Sequence, residues 1–328
     1  MVLVVRKARF FRLIPFPTFT RHLSTYDGSL VQLADDIVTV YKDLNSKLEY
    51  SMPSHQLGKI KQKILCNSYA LSPLKIKIME NGEQLSAFLK DYSPDYPNIM
   101  YGRFTRCEKS FAIIPYNKED NLVLMGISVM LLRLSLGSSP LKAFWVEDMV
   151  EDFHEKLQQM KEVNRVFKYN IQHSLKTIPK SLIEEKIQSL VGDSSPILKL
   201  VSTFLRLKIL DDDGNDCRGE THLTGIPVVG EITKVLFNIY LMDTIDKDFA
   251  LIFPGIAFCR FLNEIFIMTK KKVLFDFKHA HKILGEHRLM GNLTSMGPED
   301  EPLHCHFNKL LYLSSNGKIN LCDPEDDS

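Results

Sequence analysis

The stretch AFCRFLNEIFIMTK, residues 257–270, sets an apolar run on either side of Asn263-Glu264. Short runs rich in aromatic and β-branched residues around a polar pair read as two strands joined by a turn. A carboxylate beside a carboxamide at such a tip offers oxygen ligands, the type a hard divalent cation takes. Asn263-Glu264 therefore reads as a metal-binding turn, as the remains of one, or as a plain turn.

Other constellations offer less. In His304-Cys305-His306 adjacent side chains alternate in direction, and no second ligand pair stands at zinc-finger spacing. His279 and His281, two apart on an expected helix, face different ways. The run from Asp211 to Asp216 begins like a calcium loop, but its glycine comes too early and no closing glutamate is in register, so a hairpin turn is expected. The chain has no phosphate-binding loop, dinucleotide fingerprint or nucleophile elbow. Six cysteines, at 66, 107, 217, 259, 305 and 322, lack any C-x-x-C spacing and read as reduced thiols.

Helical spacing of apolar residues predicts helices over 30–50, 55–68, 122–136, 144–163, 196–207 and 275–284, with Pro179 opening another. Alternation predicts strands over 74–78, 109–115 and 166–171. A hairpin is expected over 207–223, a helix within 225–246 and the hairpin 257–270 after it; residues 291–302 read as turn-rich. Strand, helices, hairpin, helix, hairpin is an α+β plan with an antiparallel sheet.

The 328 residues are 45% hydrophobic and 25% charged, ordinary for a globular chain, and carry a formal charge of +1. That balance neither demands nor forbids a polyanionic partner. No apolar stretch reaches the roughly 18–20 residues of a membrane span, so no membrane partner is expected. The charge is uneven: Arg6, Lys7, Arg9, Arg12 and Arg21 precede the first acid, Asp27. A basic, acid-free, hydroxyl-rich start fits an organelle targeting peptide over 1–25. It points to the mitochondrion, with the plastid as alternative.

The segment GIPVVGEITKVLFNIYL, 225–241, resembles GIPQGGILSPLLFNIYL of reverse transcriptases encoded by group II introns; Gly225, Ile226, Pro227, Gly230 and the run 236–241 agree. The neighbours occur in the family's order. FKYNIQHSLKTIP, 167–179, is similar to FKGDIKGCFDSID, and RFLNEIFI, 260–267, to RYADDFLI. Residues 109–115 and the helix after them resemble the fingers segment that reads RPL-x-IP. The resemblance implies an α+β, reverse-transcriptase-like fold of fingers and palm with an antiparallel palm sheet. It divides the chain into a fingers-like region over 26–164, a palm-like region over 165–275 and a tail, 276–328, that does not match the family's helical thumb-like domain.

The family's polymerase chemistry uses carboxylates to hold two Mg²⁺ ions about 3.5–4 Å apart. Position by position, the resemblance puts Asn170 at the first aspartate and Asn263 and Glu264 at the hairpin pair. Leu175-Lys176 replaces Phe-Asp, and Pro227-Val228-Val229 replaces the Pro-Gln-Gly turn. Two of three acids are neutral amides, which cannot offset two divalent cations. The expectation is a chain without metal, cofactor or polymerase activity; residual RNA-directed DNA polymerase activity through Glu264 is the alternative.

Among similar proteins are the nuclear-encoded intron maturases of plant mitochondria. That likeness implies an RNA-binding protein that assists splicing of group II intron RNA, with other organellar splicing factors as further partners. Phosphate contact needs cations. The expected RNA-binding residues are Lys59, Lys61, Lys63, Lys75, Lys77, Arg103 and Arg106, with Lys270-Lys271-Lys272 as a further basic run.

Overall fold

A computed structural model describes residues 29–48, 52–79, 102–103, 110–115, 117–138, 155, 157, 159–172, 178–211, 213–216, 225–227, 229–252, 256–261, 263–270, 277–287, 289–298, 300–305 and 309–322. The expected targeting segment 1–25 and most of the expected helix 144–163 lie outside them.

The chain forms α1 (Leu30–Leu48), α2 (Ser54–Leu65), β1 (Leu74–Met79), β2 (Gly102–Arg103), β3 (Ser110–Pro115) and α3 (Lys118–Ser138). Then come β4 (Arg165–Gln172), α4 (Lys180–Val191), α5 (Pro196–Arg206), β5 (Ile209–Leu210) and α6 (Gly230–Leu241). A π-helical turn (Met242–Asp246) leads into α7 (Lys247–Ile252). The last elements are β6 (Ala257–Phe261), β7 (Glu264–Thr269), α8 (Phe277–Glu286), β8 (Met290–Met296), β9 (Leu303–Cys305), β10 (Lys309–Leu313) and β11 (Ile319–Cys322).

These elements fall into two compact units, Met1–Ser138 with Pro179–Ile239, and Ser139–Ile178 with Tyr240–Ser328. The linear division at 164/165 and 275/276 does not coincide with them. Residues 179–239 belong with the N-terminal part, and the segment 276–328 belongs with β4, β6 and β7.

In the first unit, α1 buries Leu33, Ala34, Ile37 and Val40, one stripe at helical spacing. It crosses α3 so closely that a Cβ on Gly126 would lie 2.4 Å from Ile37 Cγ1. Arg133 of α3 donates to buried Asp36 of α1. Helix starts follow local chemistry: Asn117 Oδ1 accepts from Asp120 N at 2.7 Å, and Ser195 Oγ accepts from Ile197 N at 3.2 Å with Pro196 in the first turn. The sheet runs β2-β3-β1-β5. β1 is antiparallel to β3 and parallel to β5. The Asp211 side chain accepts from the backbone N of Asp213 and of Asn215, forming a turn that Leu210 and Asp216 close by an antiparallel bridge. That is the first half of the hairpin expected over 207–223; residues 217–224 lie outside the description.

The second unit holds an antiparallel sheet in the order β6-β7-β4-β8 and a smaller sheet, β11-β10-β9. One face of the larger sheet brings Val166, Cys259, Phe261, Phe266, Met268 and Met296 into a common core with Leu303, Cys305, Leu311, Leu313 and Ile319 of the smaller one. On the opposite face Tyr169 meets His281 of α8 edge to face, ring centroids 5.3 Å apart. α8 buries Ala280, Ile283 and Leu284.

Residues 291–302 correct the sequence reading. Instead of a turn-rich loop, Met290–Met296 pairs with β4 from Gln172 to Val166. β8 is an edge strand and needs no apolar alternation on its open side. At Gly291 the two strands run close: a Cβ would lie 3.1 Å from Asn170 O, tighter than most side-chain contacts.

Candidate functional site

β6 and β7 form the expected hairpin, with Phe261 paired to Glu264 and Asn263 in the turn between them. β4 lies beside β7, and Asn170 is in register with Glu264. Strand residues two apart share a face, as do residues directly opposite. Lys168, Asn170 and Glu264 therefore point to the same side of the sheet.

Asn263 Nδ2 donates to Asn170 Oδ1 at 2.8 Å and to Ile171 O at 3.1 Å. Its backbone O accepts from Ile171 N at 2.8 Å. A main-chain carbonyl can only accept, so the Ile171 contact fixes which end of the Asn263 amide is nitrogen. That in turn fixes Asn170, whose oxygen must face Asn263. Where the resemblance puts metal-binding aspartates, two neutral carboxamides hold each other.

Glu264 is 2% exposed, and its Oε1 lies 2.9 Å from Lys168 Nζ, itself 12% exposed. Lys168 also donates to His304 O of β9, tying the pair to the smaller sheet. Two opposite charges in so dry a place leave no net charge for a further cation to meet. Beside them, burial pushes the Cys305 thiol up to about 12; the Glu264 charge adds to this and Lys168 opposes it. Among the described residues no group of three or more His, Cys, Asp or Glu is arranged to hold a metal ion.

The structure thus brings Asn170, Asn263 and Glu264 together. Sequence reasoning missed Lys168, although it stands two residues before Asn170 and so on the same strand face. Leu175 and Lys176 lie outside the described residues, as does Val228. Pro227 and Val229 are buried beside Thr233, whose Oγ1 donates to Pro227 O at 2.6 Å and accepts from Val229 N at 2.7 Å.

A second feature supports the hairpin. Arg260 of β6 donates Nε to Asp246 Oδ1 and an Nη to Oδ2, each at 2.8 Å, and both side chains are at most 2% exposed. The π turn carries Asp246 into place, and Thr244 Oγ1 donates to Tyr240 O there at 2.6 Å.

The expected RNA-binding residues belong to the first unit. Lys59 and Lys63 are exposed and one turn apart on α2, with Lys63 Nζ 6.0 Å from the Tyr69 ring centre. Lys61 pairs with Asp35 at 3.2 Å. Lys75 and Lys77 belong to β1, and Arg103 lies on β2. Arg106 is outside the description. Of the histidine candidates, His304 is exposed while Cys305 is buried, and His279 and His281 are exposed. No described helix is long and apolar enough to cross a membrane.

No protein-family model matches the chain. It is 25% identical over 213 residues to an uncharacterized 39 kDa protein in mitochondrial S-1 and S-2 DNA of Zea mays, covering 63% of this chain and 60% of the maize protein. It superposes on telomerase from Candida albicans, solved in complex with the TWJ fragment of telomeric RNA, with a TM-score of 0.50 at 12% identity, over 87% of this chain and 49% of that one. The fold is thus α+β, as the order of strands and helices implies, and reverse-transcriptase-like, as the resemblance implies. The chain spans about half to three-fifths of the length of these two proteins.

Proposed function

We propose that this chain is a reverse-transcriptase-like RNA-binding protein without polymerase activity, which assists the splicing of group II intron RNA in mitochondria. The observation that carries the reading is the exchange of acids for an amide pair at Asn170 and Asn263, with Glu264 held by Lys168. A palm built this way has no surplus negative charge for two divalent cations. Telomerase, to which the fold is similar, was solved with RNA. The mitochondrial assignment draws on the basic leader and on the maize relative. Exposed lysines on α2 supply phosphate contacts.

Two assays test this. Primer extension on an RNA template with Mg²⁺ or Mn²⁺ is expected to give no product; synthesis that depends on Glu264 overturns the inactivity. Titration against a folded group II intron RNA is expected to show binding and faster self-splicing. Affinity no better than that of a neutral control protein overturns the RNA role.

A further inference from the structure

The two carboxamides at the hairpin tip are only half used by the protein. Both hydrogens of Asn263 Nδ2 are spent on Asn170 Oδ1 and Ile171 O. Asn170 Nδ2 and Asn263 Oδ1 have no protein partner among the described residues, and neither is a sealed-off buried atom. Both residues are partly exposed. Asn170 of β4 and Asn263 of the turn therefore leave one N–H donor and one carbonyl acceptor open on two amides joined at 2.8 Å, whose orientation the Ile171 carbonyl sets.

We infer that Asn170 and Asn263 together form a contact site for the ribose 2′-hydroxyl of RNA. The inference rests on the RNA-binding reading above and names what the former catalytic tip touches. A 2′-hydroxyl both donates and accepts, so it satisfies Asn263 Oδ1 and Asn170 Nδ2 at once. A phosphate only accepts, and would turn an anion toward Asn263 Oδ1. DNA lacks the group. The wide, shallow minor groove of A-form RNA displays 2′-hydroxyls at its surface, where two short side chains, one on β4 and one in the β6–β7 turn, reach them. Charge permits the approach: three carboxylates would repel a polyanion unless metals screened them, whereas here the one carboxylate is matched by Lys168 at 2.9 Å. Contact by this face is consequently independent of divalent cations.

The test uses the full chain and a short fluorescent RNA hairpin in monovalent salt with EDTA. Its counterpart has the same sequence with 2′-fluoro sugars, which keep A-form geometry and lose the hydroxyl proton. Wild-type protein is expected to bind the ribose probe about 3- to 10-fold more tightly than the 2′-fluoro probe, the size of one or two net hydrogen bonds. Asn170→Ala is expected to bind both probes equally. Asn170→Asp retains the acceptor that faces Asn263 and removes the outward donor. It too is expected to lose the discrimination, and it serves if the alanine variant shows no cooperative melting. Equal affinity of wild type for the two probes, or discrimination that survives in both variants, overturns the inference and leaves RNA binding standing. Failure of wild type to bind either probe removes the RNA-binding reading and this site with it.

Discussion

Lys168 and Glu264 sit two strand positions apart across the β4–β7 ladder and meet at 2.9 Å on the sheet face that packs against the smaller sheet. A charge pair in such a place is held by mutual dependence, since removal of one partner strands the other in an apolar environment. Lys168→Ala is expected to cost about 3–5 kcal/mol. Replacing both partners with apolar residues of similar volume is expected to be close to neutral. Urea unfolding of the two singles and the double checks this. A single variant as stable as wild type would mean that Glu264 finds other compensation.

The second prediction concerns chemistry. Asn170→Asp with Asn263→Asp places acids at both positions where the resemblance puts aspartates, yet no template-directed synthesis is expected. Lys168 still claims Glu264, and Pro227-Val228-Val229 still stands in place of the Pro-Gln-Gly turn. The new carboxylates break the amide pair beside a buried ion pair, so a lower melting temperature is expected. Detectable primer extension by the double variant would show that the two amides alone silence the palm.

Arg260 and Asp246 make the third. Both are sealed from solvent and joined at two points. Asp246→Ala is expected to lose about 3–5 kcal/mol by leaving a guanidinium buried. Hydrogen exchange at β6 and β7 amides is expected to rise before the first unit is affected. Unchanged protection of the hairpin would mean that the π turn is not what anchors it.

RNA affinity gives the fourth. Lys59→Glu with Lys63→Glu changes one exposed face of α2 and no buried contact. Each lost phosphate contact should lower the slope of log affinity against log salt by roughly 0.7–0.9. Melting behaviour is expected to stay as in wild type. An unaltered salt slope would move the phosphate contacts off α2.

The fifth concerns pH and thiol reactivity. Burial raises the Cys305 thiol from 9.0 to about 12, so the folded state favours its neutral form. Its stabilising effect is complete below pH 9 and is lost as pH rises from there toward 12. Iodoacetamide at neutral pH is expected to modify exposed Cys66 readily and Cys305 only after unfolding. Cys305→Ala is expected to flatten the alkaline limb of a stability profile. Rapid alkylation of Cys305 in the folded chain would contradict the burial argument.

Strands β4, β6 and β7 were legible because their apolar runs are long and their turn is polar. Their adjacency was not, since it depends on pairing across about 95 residues of chain; it came through the resemblance that aligned Asn170 with Asn263. Lys168 stood in plain view, but register is needed to see that its partner is Glu264. β8 escaped because Gly291, Asn292, Thr294 and Ser295 suit an edge strand and carry no periodic signal. Asp246 escaped for another reason. Regular 3.6-residue periodicity predicts the wrong direction for a side chain carried by a wider π turn.

The interleaving of the two units along the chain governs how the protein emerges from the ribosome. The first unit lacks α4, α5 and most of α6 until residue 239 has been made, and β4 waits until residue 296 for its outer neighbour. Neither unit is able to close while the other is wholly unmade. A nascent chain halted between 139 and 239 exposes two unfinished apolar surfaces instead of one finished domain, the condition under which chaperones engage.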